Sequence, residues 1–501
     1  MYKITWDKET GGVQLHSRIV EGTLGVSPRP VFFEELDLLG LDKSGWTYPR
    51  VEAPIMWAVN KQYWYRGVRL FDAKGANIYT RPTLEMQPGI EPMALEPVDV
   101  KKMLQRTSDL MFVLENEAIE FIRDTYLTYA KANKTYAKAD ANKLDFETMA
   151  ERVEKKSKQR MAVVKQNCDS FDIIPLATAE KEGKRVLLST KIDRFIASFS
   201  GGKDSQVVLD LCTRAIPPTD FEVIYSDTGY ELPPSLSLYK DVEAYYTQKF
   251  PSLRFLTARN HESVLNYWDK IGTPSDNHRW CCSVMKTAPL YRMLKVEGNK
   301  QAHVLTFDGV RAEESVRRSG YNRIGKGVKH STVINASPIL AWSSVEVFLY
   351  LFRYLLPINI AYRLGITRVG CIICPFSSEW NDMVVNHSFH KELEPFLFRI
   401  EKNVKSSQVQ DYRNYIEAGN WKRRAGGRDI QSSSAIDIVS SKPDLDVMMI
   451  NPQKKPLTWL CAVSPYTGSD KQGELKFKGN VYSLNSARRL QIKSFKYLSN
   501  K

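Results

Sequence analysis

The stretch FIASFSGGKDSQVVLDL, Phe195 to Leu211, limits what this chain can fold into more than any other. An aromatic and β-branched run reads as a strand. It ends in Ser200-Gly201-Gly202, and Lys203, Asp204 and Ser205 lead into a second apolar run that reads as a helix. A strand that turns through glycines into a helix makes an anion site. Glycine lets the backbone approach a ligand and adopt positive φ. Successive N–H groups form a concave nest, and the helix N-terminus adds partial positive charge. Lys203 adds a full charge, and Ser200 and Ser205 add hydroxyl donors. The pattern is not G-x-x-x-x-G-K-[ST], since a single glycine pair precedes the lysine.

The surroundings repeat the strand–helix alternation. RFIASF, FEVIYSD, LRFLTA and AHVLTFDG are short strand-like runs separated by helix-length segments. That order predicts an α/β fold, a doubly wound, mostly parallel sheet with helices on both faces. In such sheets ligands sit outside the carboxyl ends of the strands. Asp227, Thr228 and Gly229 follow one strand, and Gly309, Arg311, Glu314, Ser315 and Arg318 follow another. The forked donors of arginine match phosphate oxygens.

Four regions are expected: a small β-rich region over 1–97, a helical region over 98–184, the α/β domain over 185–400, and a basic region or small module over 401–501. Within the second, Val100, Met103, Leu104, Thr107, Leu110, Met111, Leu114, Ala118, Phe121 and Ile122 follow helical spacing, with Asp99 as N-cap. Lys131–Arg160 reads as an exposed helix with a basic face, 426–435 as a linker, and the tail beyond Asp444 as a β-containing module. The apolar run Val345–Tyr362 contains Glu346, Arg353 and Pro357, so it reads as a buried helix ending near the proline rather than a membrane span. With no apolar segment at the N-terminus, a cytoplasmic protein with no membrane partner is expected.

Lys and Arg number 71 against 57 acids, a formal net charge of +14. An excess of that size points to an acidic partner or to a solvated basic surface. Asn420–Arg428 and Ala487–Lys501 are basic stretches without acids.

Seven cysteines in 501 residues are too sparse for a disulfide scaffold. Four of them pair: Cys281 with Cys282, and Cys371 with Cys374. Four thiolates brought together would bind a soft metal centre. Zinc ribbons use two C-x-x-C pairs about 15–20 residues apart, and adjacent cysteines depart from that pattern. Cys168, Cys212 and Cys461 are isolated, and Cys212, on an apolar helix, reads as core.

SGGKDS resembles the PP-loop of the ATP-pyrophosphatase superfamily. The later DTG and G-x-R-x-x-E-S-x-x-R strings, in that order, resemble the phosphoadenosine-phosphosulfate (PAPS) reductase branch. The Cys-Cys pair followed by a distant C-x-x-C resembles the [4Fe–4S] ligation of iron–sulfur sulfonucleotide reductases and of Dnd-type DNA phosphorothioation sulfurtransferases. Lys286, Pro289, Leu290, Trp342, Pro357, Asn359, Tyr362, Gly365 and Arg368 also fit.

The resemblance covers about residues 185–400 and implies an adenine nucleotide α-hydrolase-like fold. It implies that Ser200, Gly201, Gly202 and Ser205 cradle a pyrophosphate that Lys203 neutralises. Asp204 would orient the loop or Mg²⁺, with Asp227, Thr228, Gly229 and Gly309 near the nucleotide. Arg311 and Arg318 would stabilise the transferring group, and the four paired cysteines would hold a cluster, or zinc as the alternative.

One departure matters. The reductases carry a nucleophilic cysteine in a Glu-Cys-Gly-(Ile/Leu)-His segment, and this chain has none; Cys461 lies in TWLCAVSPY. The expected function is therefore ATP cleavage at the α-phosphate with sulfur transfer, to DNA as acceptor and with a cysteine desulfurase as donor. A sulfonucleotide reductase and a non-enzymatic nucleotide- or DNA-binding regulator are the alternatives.

Overall fold

The computed structural model describes the chain except residues 1, 135–148, 151, 155, 168–169, 184–191, 276–278, 297–299, 327–331, 407–408, 410, 423–435, 443–444, 451–465, 470–473, 478–479, 485–489 and 493–501. Cys168, Cys461 and the expected linker lie outside the described residues, as does most of both basic stretches.

Alternation of apolar side chains builds the central sheet. Its six strands are β1 (Arg194–Phe199), β2 (Glu222–Asp227), β3 (Arg254–Arg259), β4 (Val304–Phe307), β5 (Ile324–Lys326) and β6 (Val333–Ala336). Their spatial order is β3-β2-β1-β4-β6-β5. All pairings are parallel except that of edge strand β5 with β6. Side chains of a strand point alternately to its two faces. Phe195, Ala197 and Phe199 enter one core with Val223, Tyr225, Leu305 and Phe307. Ile196, Ile224 and Val304 enter the other. The sheet is thus covered on both sides, as the strand–helix alternation implies.

The helices packed on the first face include α1 (Val100–Lys134), α2 (Lys203–Ala215) and, further along the chain, Pro233–Lys249 and Ser344–Arg353. α2 buries Val207, Val208, Leu209, Leu211 and Cys212, so it is enclosed on all sides. Asp99 caps α1 by accepting the Lys102 N–H at 2.9 Å, and Met103, Met111, Ala118 and Ile122 face the shared core. α1 is described as far as Lys134, and the region expected to be helical also contains a hairpin, Met161–Asn167 paired with Ser170–Pro175. The β-branched Val163, Val164, Ile173 and Ile174 favour strands there.

Residues 1–97 form a two-stranded hairpin and a five-stranded antiparallel sheet of Arg29–Val31, Met56–Val59, Gln62–Tyr65, Val68–Lys74 and Thr83–Met86. This region is bound to the α/β domain by buried charge. Glu35 is fully buried, bridged by Arg29 through two bonds of 2.6 Å and by the Tyr63 hydroxyl at 2.6 Å, and its carboxylate lies against Gly365. Arg363 pairs with Glu34 at 2.6 Å and stacks on Phe32. In the tail, a hairpin pairs Ile436–Lys442 with Leu445–Ile450 and a four-stranded antiparallel sheet lies between Tyr466 and Ile492, so the first β-strand precedes the expected boundary at 444. No helix among the described residues is long and apolar enough to cross a membrane, and the run from Val345 breaks after Arg353.

Candidate active site

The strand order reverses between β1 and β4, so the loops leaving those two strands flank the switch point of the sheet. The glycine turn leaves β1. Gly201 has φ +73°, and a Cβ there would stand 3.0 Å from the Ser235 Cβ. Ser205 staples the turn: its hydroxyl donates to the Gly202 carbonyl at 2.8 Å and accepts the Ser200 N–H at 3.2 Å, and the Ser200 hydroxyl lies 3.1 Å away. α2 then starts with Gly202 as N-cap, without a side-chain cap. The Tyr362 hydroxyl takes the Lys203 N–H at 3.2 Å, and first-turn donors without an intrahelical partner are met by side chains, water or a ligand.

The loop after β4 presses on this turn. A Cβ on Gly309 would fall 2.7 Å from the Asp204 carbonyl carbon and 2.8 Å from the Ser205 nitrogen, so only glycine fits. Two residues on, Arg311 reaches back, and its Nε donates to Asp204 Oδ1 at 2.6 Å. Asp204 Oδ2 takes the Lys203 ammonium at 2.8 Å. Arg311 also pairs with Glu313 at 2.7 Å. Burial pushes the Lys203 ammonium below its ordinary value, Asp204 opposes that shift and Arg311 adds to it. Burial alone would raise the Asp204 carboxyl, yet Lys203 and Arg311 hold it below the ordinary carboxylate value.

Of the two roles open to Asp204, the geometry therefore favours orienting the loop, because both of its oxygens are occupied by cations. Arg311 is 4% exposed and pins the first turn of α2 to the β4 loop. Arg318 is more open, paired with Glu314. One residue unmarked by the sequence reading, Asp308, ends β4 and accepts from the Ser337 hydroxyl at 2.7 Å. Burial raises its carboxyl above the ordinary value. Its signal was its place one residue before the glycine at a strand end.

The loop after β2 reaches the cysteines, and the helix that follows it, Pro233–Lys249, meets the phosphate turn at Ser235. Asp227 accepts the Gly229 N–H at 2.8 Å and faces Arg259 at 3.4 Å. The Thr228 hydroxyl donates to Glu231 at 2.7 Å and lies 3.8 Å from Cys371 Sγ. The Ile372 N–H donates to the Tyr230 carbonyl at 2.8 Å, which fastens the C-x-x-C segment to this loop. Cys281 lies against Cys282 at the head of a π-helical turn, Cys282–Thr287.

Cys281 senses Cys371, Cys371 senses Cys374, and Cys374 senses Cys282. The four thiols thus lie within electrostatic range of one another in a chain, and Tyr230 stands near three of them. The Cys282 thiol and burial raise Cys281, and burial raises Cys371 and Cys374. Soft thiolate donors suit iron–sulfur clusters and zinc. The donor chemistry therefore fits such a centre, although among the described residues no three of His, Cys, Asp or Glu are already gathered around one metal position. Cys212 is fully buried in the core, as expected.

Residues 194–377 match the Phosphoadenosine phosphosulfate reductase domain. An uncharacterized protein of Methanocaldococcus jannaschii is 34% identical over 230 residues, 45% of this chain and 45% of that protein. A second uncharacterized protein of that organism is 29% identical over 305 residues, 60% of this chain and 67% of its own length. An adenosine 5'-phosphosulfate reductase of Geobacillus sp. is 27% identical over 184 residues, 36% of this chain and 73% of that enzyme. This chain spans about half the length of the first of these relatives, 45%. Among solved structures, the PAPS reductase from Candida auris in a phosphate complex aligns with a TM-score of 0.29 and 22% identity, over 36% of this chain and 82% of that one. Residues 194–377 are thus similar to a PAPS reductase domain, and the reductase relative aligns over 36% of this chain.

Proposed function

We propose that this protein cleaves ATP at the α-phosphate and uses the activated product in sulfur transfer, with nucleic acid as the acceptor. The observation that carries the reading is the glycine turn at the switch point, backed by a buried lysine, with the loop of the neighbouring strand β2 reaching Cys371 through Thr228. An acceptor oxygen attacks the α-phosphorus, the bond to the bridging oxygen breaks, and pyrophosphate leaves with the electron pair. Backbone donors of Gly201 and Gly202, the Ser200 hydroxyl and the Lys203 ammonium stabilise that departing charge. Arg318, the less buried of the two arginines, meets the transferring group. Asp227 is the carboxylate available for Mg²⁺, which is held through one or two carboxylates plus phosphate oxygens.

A sulfur nucleophile carried as a persulfide, supplied by a cysteine desulfurase, then displaces AMP, and a second thiol cleaves the sulfur–sulfur bond. Cys281, Cys282, Cys371 and Cys374 would hold a [4Fe–4S] cluster, with zinc as the alternative. Such a centre supplies redox or sulfur-binding capacity beside the nucleotide, and zinc supplies a structural clamp. The net charge of +14 supports a polyanionic acceptor such as DNA.

A second reading, reduction of a sulfonucleotide, is favoured by the relatives named as adenosine 5'-phosphosulfate reductases. Against it, the cysteines among the described residues are Cys212 and the four paired ones, so a separate nucleophilic thiol must come from elsewhere in the chain. Incubation with α-labelled ATP, Mg²⁺ and DNA distinguishes the two. The proposal expects free pyrophosphate with the label transferred to the DNA, and labelled AMP once a persulfide donor is added. ADP, or sulfite from a sulfonucleotide with no ATP cleavage, overturns it.

A further inference from the structure

The segment from Asn359 to Arg363 does more than connect two helices. Asn359 is 3% exposed and uses its whole amide. Its Oδ1 accepts the Ala361 N–H at 2.9 Å, capping the short helix Ile360–Arg363. Its Nδ2 donates to the Gly201 carbonyl at 2.8 Å and to the Ser235 hydroxyl at 3.1 Å. A trans peptide is planar, with its C=O and N–H on opposite sides. Fixing the Gly201 carbonyl toward Asn359 therefore turns the Gly202 N–H away from Asn359 and holds it there. One turn later the Tyr362 hydroxyl accepts the Lys203 N–H at 3.2 Å, and the Lys203 ammonium lies 5.3 Å above the Tyr362 ring centroid. Gly202 is pressed to the same hydroxyl, since a Cβ there would stand 3.2 Å from it.

We propose that Asn359 and Tyr362 are the positioning residues of the phosphate turn. Asn359 sets the Gly201–Gly202 peptide plane, Tyr362 sets the first helical N–H and the floor under Lys203, and together they fix the affinity of the turn for the pyrophosphate group. The inference rests on the nucleotide reading above and names the groups that hold that site in shape. A loop of two glycines has more backbone freedom than any other dipeptide, so its anion-binding form needs an external brace. The brace belongs to the same continuous segment that continues to Cys371 and is itself backed by the N-terminal region through Arg363 and Gly365.

Two substitutions separate positioning from folding. Asn359→Asp keeps the oxygen that caps the helix but removes the donor to Gly201. Tyr362→Phe keeps the ring beneath Lys203 but removes the acceptor for its N–H. In the unliganded full chain, hydrogen exchange at the amides of residues 200–206 is expected to quicken in both variants while the sheet amides of β1 and β4 stay protected. Binding of inorganic pyrophosphate, measured by calorimetry, is expected to weaken about tenfold or more in Asn359→Asp, which leaves a buried carbonyl unpaired beside a new charge. A smaller, few-fold loss is expected in Tyr362→Phe, with ATP turnover falling through KM at near-constant kcat. Unchanged exchange and unchanged pyrophosphate affinity in Asn359→Asp overturn the proposal. A wild-type protein that binds pyrophosphate but not ATP counts against the nucleotide reading alone, and loss of that pyrophosphate binding in Asn359→Asp still upholds the brace.

Discussion

The phosphate turn leaves β1 and the loop beside the thiol quartet leaves the neighbouring strand β2, yet the two are built on opposite electrostatic plans. The turn carries its own counter-ions. Lys203, Asp204, Arg311 and Glu313 form a chain of alternating charge that is balanced before any ligand arrives. The quartet gathers four groups of one kind, and Cys282, Cys371 and Cys374 each add repulsion to a neighbour's ionised form. The first needs no ion from outside to offset its charges. The second resists ionisation at Cys281, Cys371 and Cys374, and a bound cation is what turns such thiols into thiolate ligands. The difference teaches how to separate the two regions experimentally: one should respond to charge removal inside the protein, the other to metal.

Replacing both Cys371 and Cys374 by Ser should carry the largest change. Iron and zinc, counted by elemental analysis of anaerobically purified protein, should fall from near stoichiometric to near zero, while Cys212→Ser leaves them unaltered. Equal metal in all three proteins would erase the contrast. Next, Asp204→Asn strips the shared counter-ion from two buried cations. Breaking one partner out of a buried ion pair costs about 3–5 kcal/mol, read as a shift in the denaturant midpoint.

The pH dependence follows the same carboxylate. Its folded value is depressed by Lys203 and Arg311, so its stabilisation is fully present above the ordinary aspartate value. That stabilisation is lost as pH falls through the lower, folded value. The Asn variant should lack this acid limb, and an identical acid limb in both proteins would show that the charge chain contributes nothing.

Lys203→Ala should lower the rate of pyrophosphate release about 10²–10³-fold, the range for removing one preorganised donor. Metal content should stay unchanged. Loss of metal in this variant would mean the two regions are one structural unit. The smallest effect tests the contact that shapes the turn. Gly309→Ala drives a methyl into the first turn of α2 and should cost about 1–3 kcal/mol. Gly325→Ala, where a Cβ meets no atom within 4 Å, should cost little.

Much of the turn was legible because it is contiguous. Strand, glycines, lysine and helix occupy one short string, and each local preference agrees with the next. RFIASF matches β1 residue for residue, and FEVIYSD and LRFLTA overlap β2 and β3 closely. Strand β6, VINA, escaped notice because four residues give too little pattern, and antiparallel β5 is shorter still. The brace was harder to see. Asn359 and Tyr362 fit the resemblance, but their hydrogen bonds span sequence separations of 158 and 159 residues, which no periodicity reveals. The cysteines were visible as two pairs, whereas Tyr230 and Glu231, which stand beside them, carry no signal in a chain with 24 tyrosines.

Arg311 taught a different lesson. An arginine after a strand end suggested phosphate contact, and the structure commits its guanidinium to Asp204 and Glu313. Ligand-facing and scaffold-facing arginines look alike in sequence because the distinction lies in which carboxylates fold up beside them.

The most direct measurement of the central claim is isotope exchange between labelled pyrophosphate and ATP, run on the wild-type protein with Mg²⁺ and DNA. Reversible attack at the α-phosphorus predicts label entering ATP in the wild type and none above background in Lys203→Ala. Absence of exchange together with release of ADP would contradict the account, because it would place the broken bond at the terminal phosphate.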